Sequence, residues 1–242
     1  GALTSILLGD ADWHIKYAVC FLPVVVYAVL IIPCKFPVNE RVAANVSYRE
    51  MLAQVGGIGF FILGWLLILG VSQIISTLSP SLVIGTWTAA TIAAIIGIAA
   101  GIYTKSLGHW MFLLVLLTMG PLATTELGTD SWMPDLLGAD FTPSQAGWIF
   151  IYISTIMTIL RFCAGPIVHK FSPIGLLVLS AIVAILGLLF LSKSAGFVII
   201  IAATVYAFGK TFLWSTTLGL VSEQFPKGGA LTLNGVSAVG VL

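Results

Sequence analysis

Charge is what this sequence has least of. Of 242 residues only 8% are Asp, Glu, Lys or Arg, where a soluble domain carries about 25%. So few charges cannot make a solvated surface around every element, which excludes an ordinary soluble domain and a disordered chain. Cysteine is scarce as well. Cys20, Cys34 and Cys163 form an odd set in or beside apolar segments, with no CxxC or Cys/His cluster. Neither a disulfide scaffold nor a thiolate metal site is expected, and buried inert thiols are the plain reading. The formal net charge is +1 with no basic stripe, which removes nucleic acid from the partners. No nucleophile with a base, metal cluster or paired acid suggests an enzyme or a resident cofactor.

What is present is apolar sequence in long runs. Hydrophobic residues make up 59% of the chain and the mean hydropathy is +1.12. The expected partner is a lipid bilayer, and the expected location a cell membrane (inner or plasma) crossed many times. A bilayer core takes about 20 apolar residues per helix, and helices satisfy every backbone group within the segment. The runs are too long and continuous for alternating barrel strands. The fold class is therefore an all-α, polytopic transmembrane helix bundle. Full spans are expected over residues 15–34, 56–77, 82–104, 109–131, 146–169, 173–192 and 196–223, with an eighth opening near 230. The short apolar runs at 2–8 and from 231 read as cut helices, so the bundle is expected to be incomplete at both ends. Turn residues fill the loops, as at Ser79-Pro80, Ser172-Pro173 and Pro226-Lys227-Gly228-Gly229. Pro37-Val38-Asn39-Glu40 reads as a break before a short surface helix. Lys35, Arg41, Arg49, Lys105, Lys170 and Lys227 follow spans one, three, five and seven, against Lys16 and Lys193 on the other side. Six against two places the ends of the odd-numbered spans in the cytoplasm.

Ionisable residues inside spans are costly, and they face a cavity or a partner. Glu126 and Asp130 stand four residues apart in span four, on one face of a regular helix. They lie in the run Thr124-Thr125-Glu126-Leu127-Gly128-Thr129-Asp130, the most polar stretch within any span. Gly120-Pro121 just before it is expected to kink or break the helix. A broken polar helix at membrane depth is a binding-site signature. Glu126 lies roughly 27 Å along the helix from Gly108, and Lys210 roughly 19 Å from Glu223 at the cytoplasmic end of span seven. Lys210 therefore needs a cavity or an anion, and Glu126 is a candidate partner. Trp214 is one turn from Lys210; aromatic faces suit sugars and also simply fill cores. The plain reading of Glu126 is a structural carboxylate. Arg161, roughly 13 Å from Lys170, is a structural ion-pair or gating residue. Gly97-Ile98-Ala99-Ala100-Gly101 is a close-packing GxxxG rather than a dimer signal.

Three stretches resemble the major facilitator superfamily of secondary transporters. Arg161-Phe162-x-x-Gly165-Pro166-x-x-x-Lys170 resembles a degenerate copy of the loop after that family's eighth helix, without its Asp and terminal basic pair. Ser222-Glu223-Gln224-Phe225-Pro226-Lys227 is similar to the acidic-x-x-Pro stretch ending its tenth helix. Gly209-Lys210-x-x-x-Trp214-x-Thr216-x-x-Gly219 resembles the tenth helix of its sugar-transporting members. The resemblance implies that residues 1–34 end an N-terminal bundle and 35–53 form a cytoplasmic connector. It further implies that 54–107 form an added hairpin, and 108–242 a truncated C-terminal bundle. It also implies alternating access, with Glu126, Asp130, Lys210 and Trp214 on cavity-lining helices and Arg161, Lys170 and Glu223 as gating or structural charges. In character the chain looks closest to the proton-coupled fucose/galactose/glucose symporters. The function expected is symport of a small, sugar-like polar solute with a proton or cation. The rivals are a drug or metabolite exporter of the same superfamily and a non-transporting membrane assembly protein.

Overall fold

A computed structural model describes residue 8 and residues 11–19, 21–35, 38, 40–79, 83–138 and 141–242. Asp10, Cys20, Asp140 and most of the 2–8 run lie outside these residues. Every element among the described residues is helical. Seven segments are long and apolar enough to cross a membrane: Trp13–Ile31, Tyr48–Leu78, Thr86–Thr104, Trp110–Met133, Ser144–Phe162, Pro173–Leu191 and Val198–Gln224. Each matches one expected span to within a few residues, except that the second begins earlier and the fifth stops sooner. This is the composition a multi-pass membrane protein requires. Trp13, Trp110, Trp132 and Trp148, at the span ends, are all exposed.

Two compact units divide the chain. The first comprises residues 39–128, 171–177 and 212–242, and the second comprises 129–170 and 178–211 with the described part of 1–38. In the latter part, α1 (Trp13–Ala18) and α2 (Phe21–Ile31) bury no residue.

In the first unit a short helix, α3 (Glu40–Ala43), precedes the long α4 (Tyr48–Leu78). Ser47 and Glu50 start α4 with a reciprocal capping box, the Ser47 hydroxyl accepting from Glu50 N–H and the Glu50 carboxylate from Ser47 N–H. Gly56 then interrupts the helix at φ 61°. The amides this interruption orphans find partners in the segment following α5 (Thr86–Thr104). Gly57 N–H donates to Ser106 O at 3.0 Å, Ile58 N–H to Leu107 O at 3.1 Å, and His109 N–H returns to Gln54 O at 3.0 Å. Only glycine fits position 56, because a Cβ there would lie 2.0 Å from the Gly108 nitrogen and φ is positive. A Cβ on Gly97 would lie 2.7 Å from Gly57 O, so the GxxxG face lets the α4 backbone come close. α6 (Trp110–Ala123), α12 (Leu213–Gln224) and α13 (Gly229–Val241) complete the unit. Phe112, Leu116, Met119, Val221, Phe225 and Val236 form its core.

The second unit contains α7 (Thr129–Gly138), α8 (Pro143–Phe162), α9 (Ala164–Lys170), most of α10 (Pro173–Leu191), and α11 (Val198–Lys210). α8 opens with a second capping box, Thr142 with Gln145. α10 and α11 touch backbone to backbone. A Cβ on Gly187 would be 2.5 Å from Tyr206 Cα, and one on Gly209 2.2 Å from Ala184 N. The close approach at those two glycines brings Tyr206 into the core with Met133, Leu137, Ile149, Ile153, Ala203 and Ala207.

Two expectations are corrected. Pro121 does not break its helix; α6 runs through it to Ala123, and the departure follows as a π-helical turn at Thr124–Gly128. The physical reason is local. Proline removes one N–H and crowds the preceding turn. Thr124 and Thr125 hydroxyls then bond back to the Gly120 and Pro121 carbonyls at 3.0 and 2.9 Å, and the ladder widens by one residue. The seventh span is also not continuous: it is α11 and α12, parted at Thr211 and Phe212.

Candidate functional site

The polar residues gather at these two interruptions. In the second unit Lys210 has no exposed surface, and its Nζ donates to an Asp130 carboxylate oxygen. Asp130 keeps 27% of its side chain exposed. The Tyr206 ring, one turn before Lys210, lies 5.2 Å from the ammonium, within cation–π range. The buried Tyr206 hydroxyl shares a 2.6 Å hydrogen bond with Thr129, the neighbour of Asp130. Thus α7 and α11 are joined by one ionic and one hydroxyl bond a turn apart. An ammonium this deep would cost several kcal/mol without an anion; removing one partner of such a pair costs about 3–5 kcal/mol. Further along α11, Thr204 meets the Tyr152 hydroxyl of α8 at 3.2 Å.

In the first unit Glu126 sits in the π turn, 4% exposed. Its carboxylate accepts from the Trp214 N–H at 3.0 Å. Trp214 is the second residue of α12, whose first amides have no intrahelical partner. Phe212, at the capping position, has no side-chain oxygen to offer. Glu126 therefore acts as an N-cap supplied from another helix, with its negative charge at the positive end of the α12 dipole. The other side of the interruption is served within the second unit, where Arg161 Nε donates to Thr211 O at 3.2 Å, next to the last residue of α11. A cation there matches the negative end of that helix.

Not all the sequence candidates converge. Glu126 and Asp130 were expected on one face, but the π turn intervenes and they take different partners. Lys210, for which Glu126 was the candidate partner, makes its ion pair with Asp130. The Trp214 ring is packed rather than presented: a Cβ at Gly240 would meet it at 2.6 Å. Lys170 and Glu223 are exposed. Sequence reasoning missed Tyr206 and Thr129. For Tyr206 the signal was there, because Tyr206 and Lys210 share a face at spacing four. Among the described residues no three His, Cys, Asp or Glu side chains gather as metal ligands.

No family model, no curated protein and no solved structure matches this chain.

Proposed function

We propose that this chain belongs to a secondary active transporter of the major facilitator type, moving a small polar solute by alternating access with a coupled proton. One observation carries this reading: Lys210 and Glu126, both nearly or wholly buried, lie at the two interrupted helices inside membrane-length apolar segments. Charges at such depth with discontinuous helices are the physical signature of solute and ion sites.

Glu126 is the proton carrier in this reading. Ionised, it holds the N-terminus of α12 through Trp214. Protonated, it loses the charge–dipole attraction, worth roughly 0.3–2 kcal/mol. A conformation that does not need this cap then gains population, and the solute that prefers that conformation binds better. The test uses proteoliposomes with a trapped pH dye and a panel of hexoses, pentoses, polyols and small acids. Glu126→Gln keeps an acceptor oxygen at Trp214 but cannot titrate. It is expected to exchange solute across the membrane while losing pH-driven accumulation. Accumulation that survives in Glu126→Gln refutes this mechanism.

A further inference from the structure

We infer that the solute is a small hydroxylated carboxylate, bound by Lys210 in place of Asp130 when Asp130 takes a proton. The inference rests on the transport reading above and names its substrate class. It begins from charge balance. Lys210 is wholly enclosed, and its Nζ is paired with the Asp130 carboxylate. As an ion pair the two are neutral. A proton arriving on the exposed side of the Asp130 carboxylate leaves a net positive charge on the wholly enclosed Lys210. That state is disfavoured unless a second anion enters. A solute carboxylate supplies it: its oxygens accept from Nζ, the protonated Asp130 turns aside, and the site is neutral again. One proton and one anion therefore bind together, and neither binds well alone.

The surroundings agree. α10, packed on α11 at Gly187 and Gly209, carries no ionisable residue. α8 contributes Arg161, engaged with Thr211 O, and Tyr152, engaged with Thr204. On α11 the remaining titratable group is Tyr206. α7 itself carries a second acid, Asp135, five residues beyond Asp130. The Thr129 and Tyr206 hydroxyls flank the ion pair on the same two helices. A solute that bears hydroxyls beside its carboxylate meets matching groups there.

The test compares D-gluconate with sorbitol, a neutral polyol of the same carbon number, on the purified protein in nanodiscs. Calorimetry in two buffers of different ionisation enthalpy counts protons. Gluconate is expected to bind with uptake of about one proton, and its affinity to fall about tenfold per pH unit where Asp130 is ionised in the free protein. Sorbitol is expected to bind at least about tenfold more weakly. Asp130→Asn should bind gluconate without proton uptake and without pH dependence. The doubly neutral Asp130→Asn/Lys210→Met, which leaves no buried charge and so tolerates folding, should lose the preference for gluconate over sorbitol. Gluconate binding without proton uptake, or a preference retained in the double variant, overturns the inference. In proteoliposomes, acidification by glucose or sorbitol but not by gluconate also overturns it while the transport reading stands. No acidification by any solute, with a control transporter active in the same vesicles, removes the transport reading and this inference with it.

Discussion

Gly209 and Gly219 lie ten residues apart on one interrupted segment, yet a methyl group has opposite consequences at the two. At Gly209 an added Cβ would stand 2.2 Å from the Ala184 nitrogen, a backbone atom that cannot swing away. Helices α10 and α11 must then separate, and the Tyr206 and Lys210 positions shift with them. Gly209→Ala is expected to lower stability by about 1–3 kcal/mol. At Gly219 nothing lies within 4 Å of the new atom. There alanine removes backbone freedom from the unfolded chain and should raise stability by about 0.5–1 kcal/mol. Thermal unfolding in detergent of the two variants checks both signs; equal shifts would refute the close approach of α10 and α11.

At the scale of elements, the interruptions are the informative parts. Arg161 meets the carbonyl at the end of α11 as Glu126 meets the amide at the start of α12. Arg161→Met keeps most of the apolar stem and removes the donor. It is expected to cost about 1–2 kcal/mol, and Arg161→Lys, still a cation, should recover part of that loss; chemical denaturation reads the difference. The spans themselves were legible, because about 20 apolar residues are a length that few structures other than a bilayer helix demand. The interruptions were not. Pro121 marked the right neighbourhood, but the widened turn begins three residues later, where threonine hydroxyls rather than proline decide the hydrogen bonds. The gap at Thr211 and Phe212 carries no proline at all. On ideal helices at 1.5 Å per residue the depths of Glu126 and Lys210 would differ by about 8 Å. Neither segment is an ideal helix. Pairing Lys210 with Asp130 depends on which helices are neighbours, and periodicity along one helix does not contain that.

For the whole molecule, the lysine and arginine bias predicts an orientation across the membrane. With Cys20, Cys34 and Cys163 replaced by Ser, Lys193→Cys is expected to react with an impermeant maleimide added outside intact cells. Lys105→Cys and Lys227→Cys should react only after permeabilisation. All three lysines are exposed, so the reverse pattern would mean the opposite topology. The main-chain clasp between residues 54–58 and 106–109 bears on a different matter, the timing of synthesis. The Gly57 and Ile58 amides meet their carbonyls only when Ser106 and Leu107 have been made. At about 5–20 residues per second a ribosome needs roughly 3–10 s to cover that distance. For those seconds the nascent hairpin holds two amides that must stay near water, at the membrane surface or in the insertion channel. The stretch between them thus sets a delay before α4 and α5 settle as a pair, and lengthening that stretch would lengthen the wait.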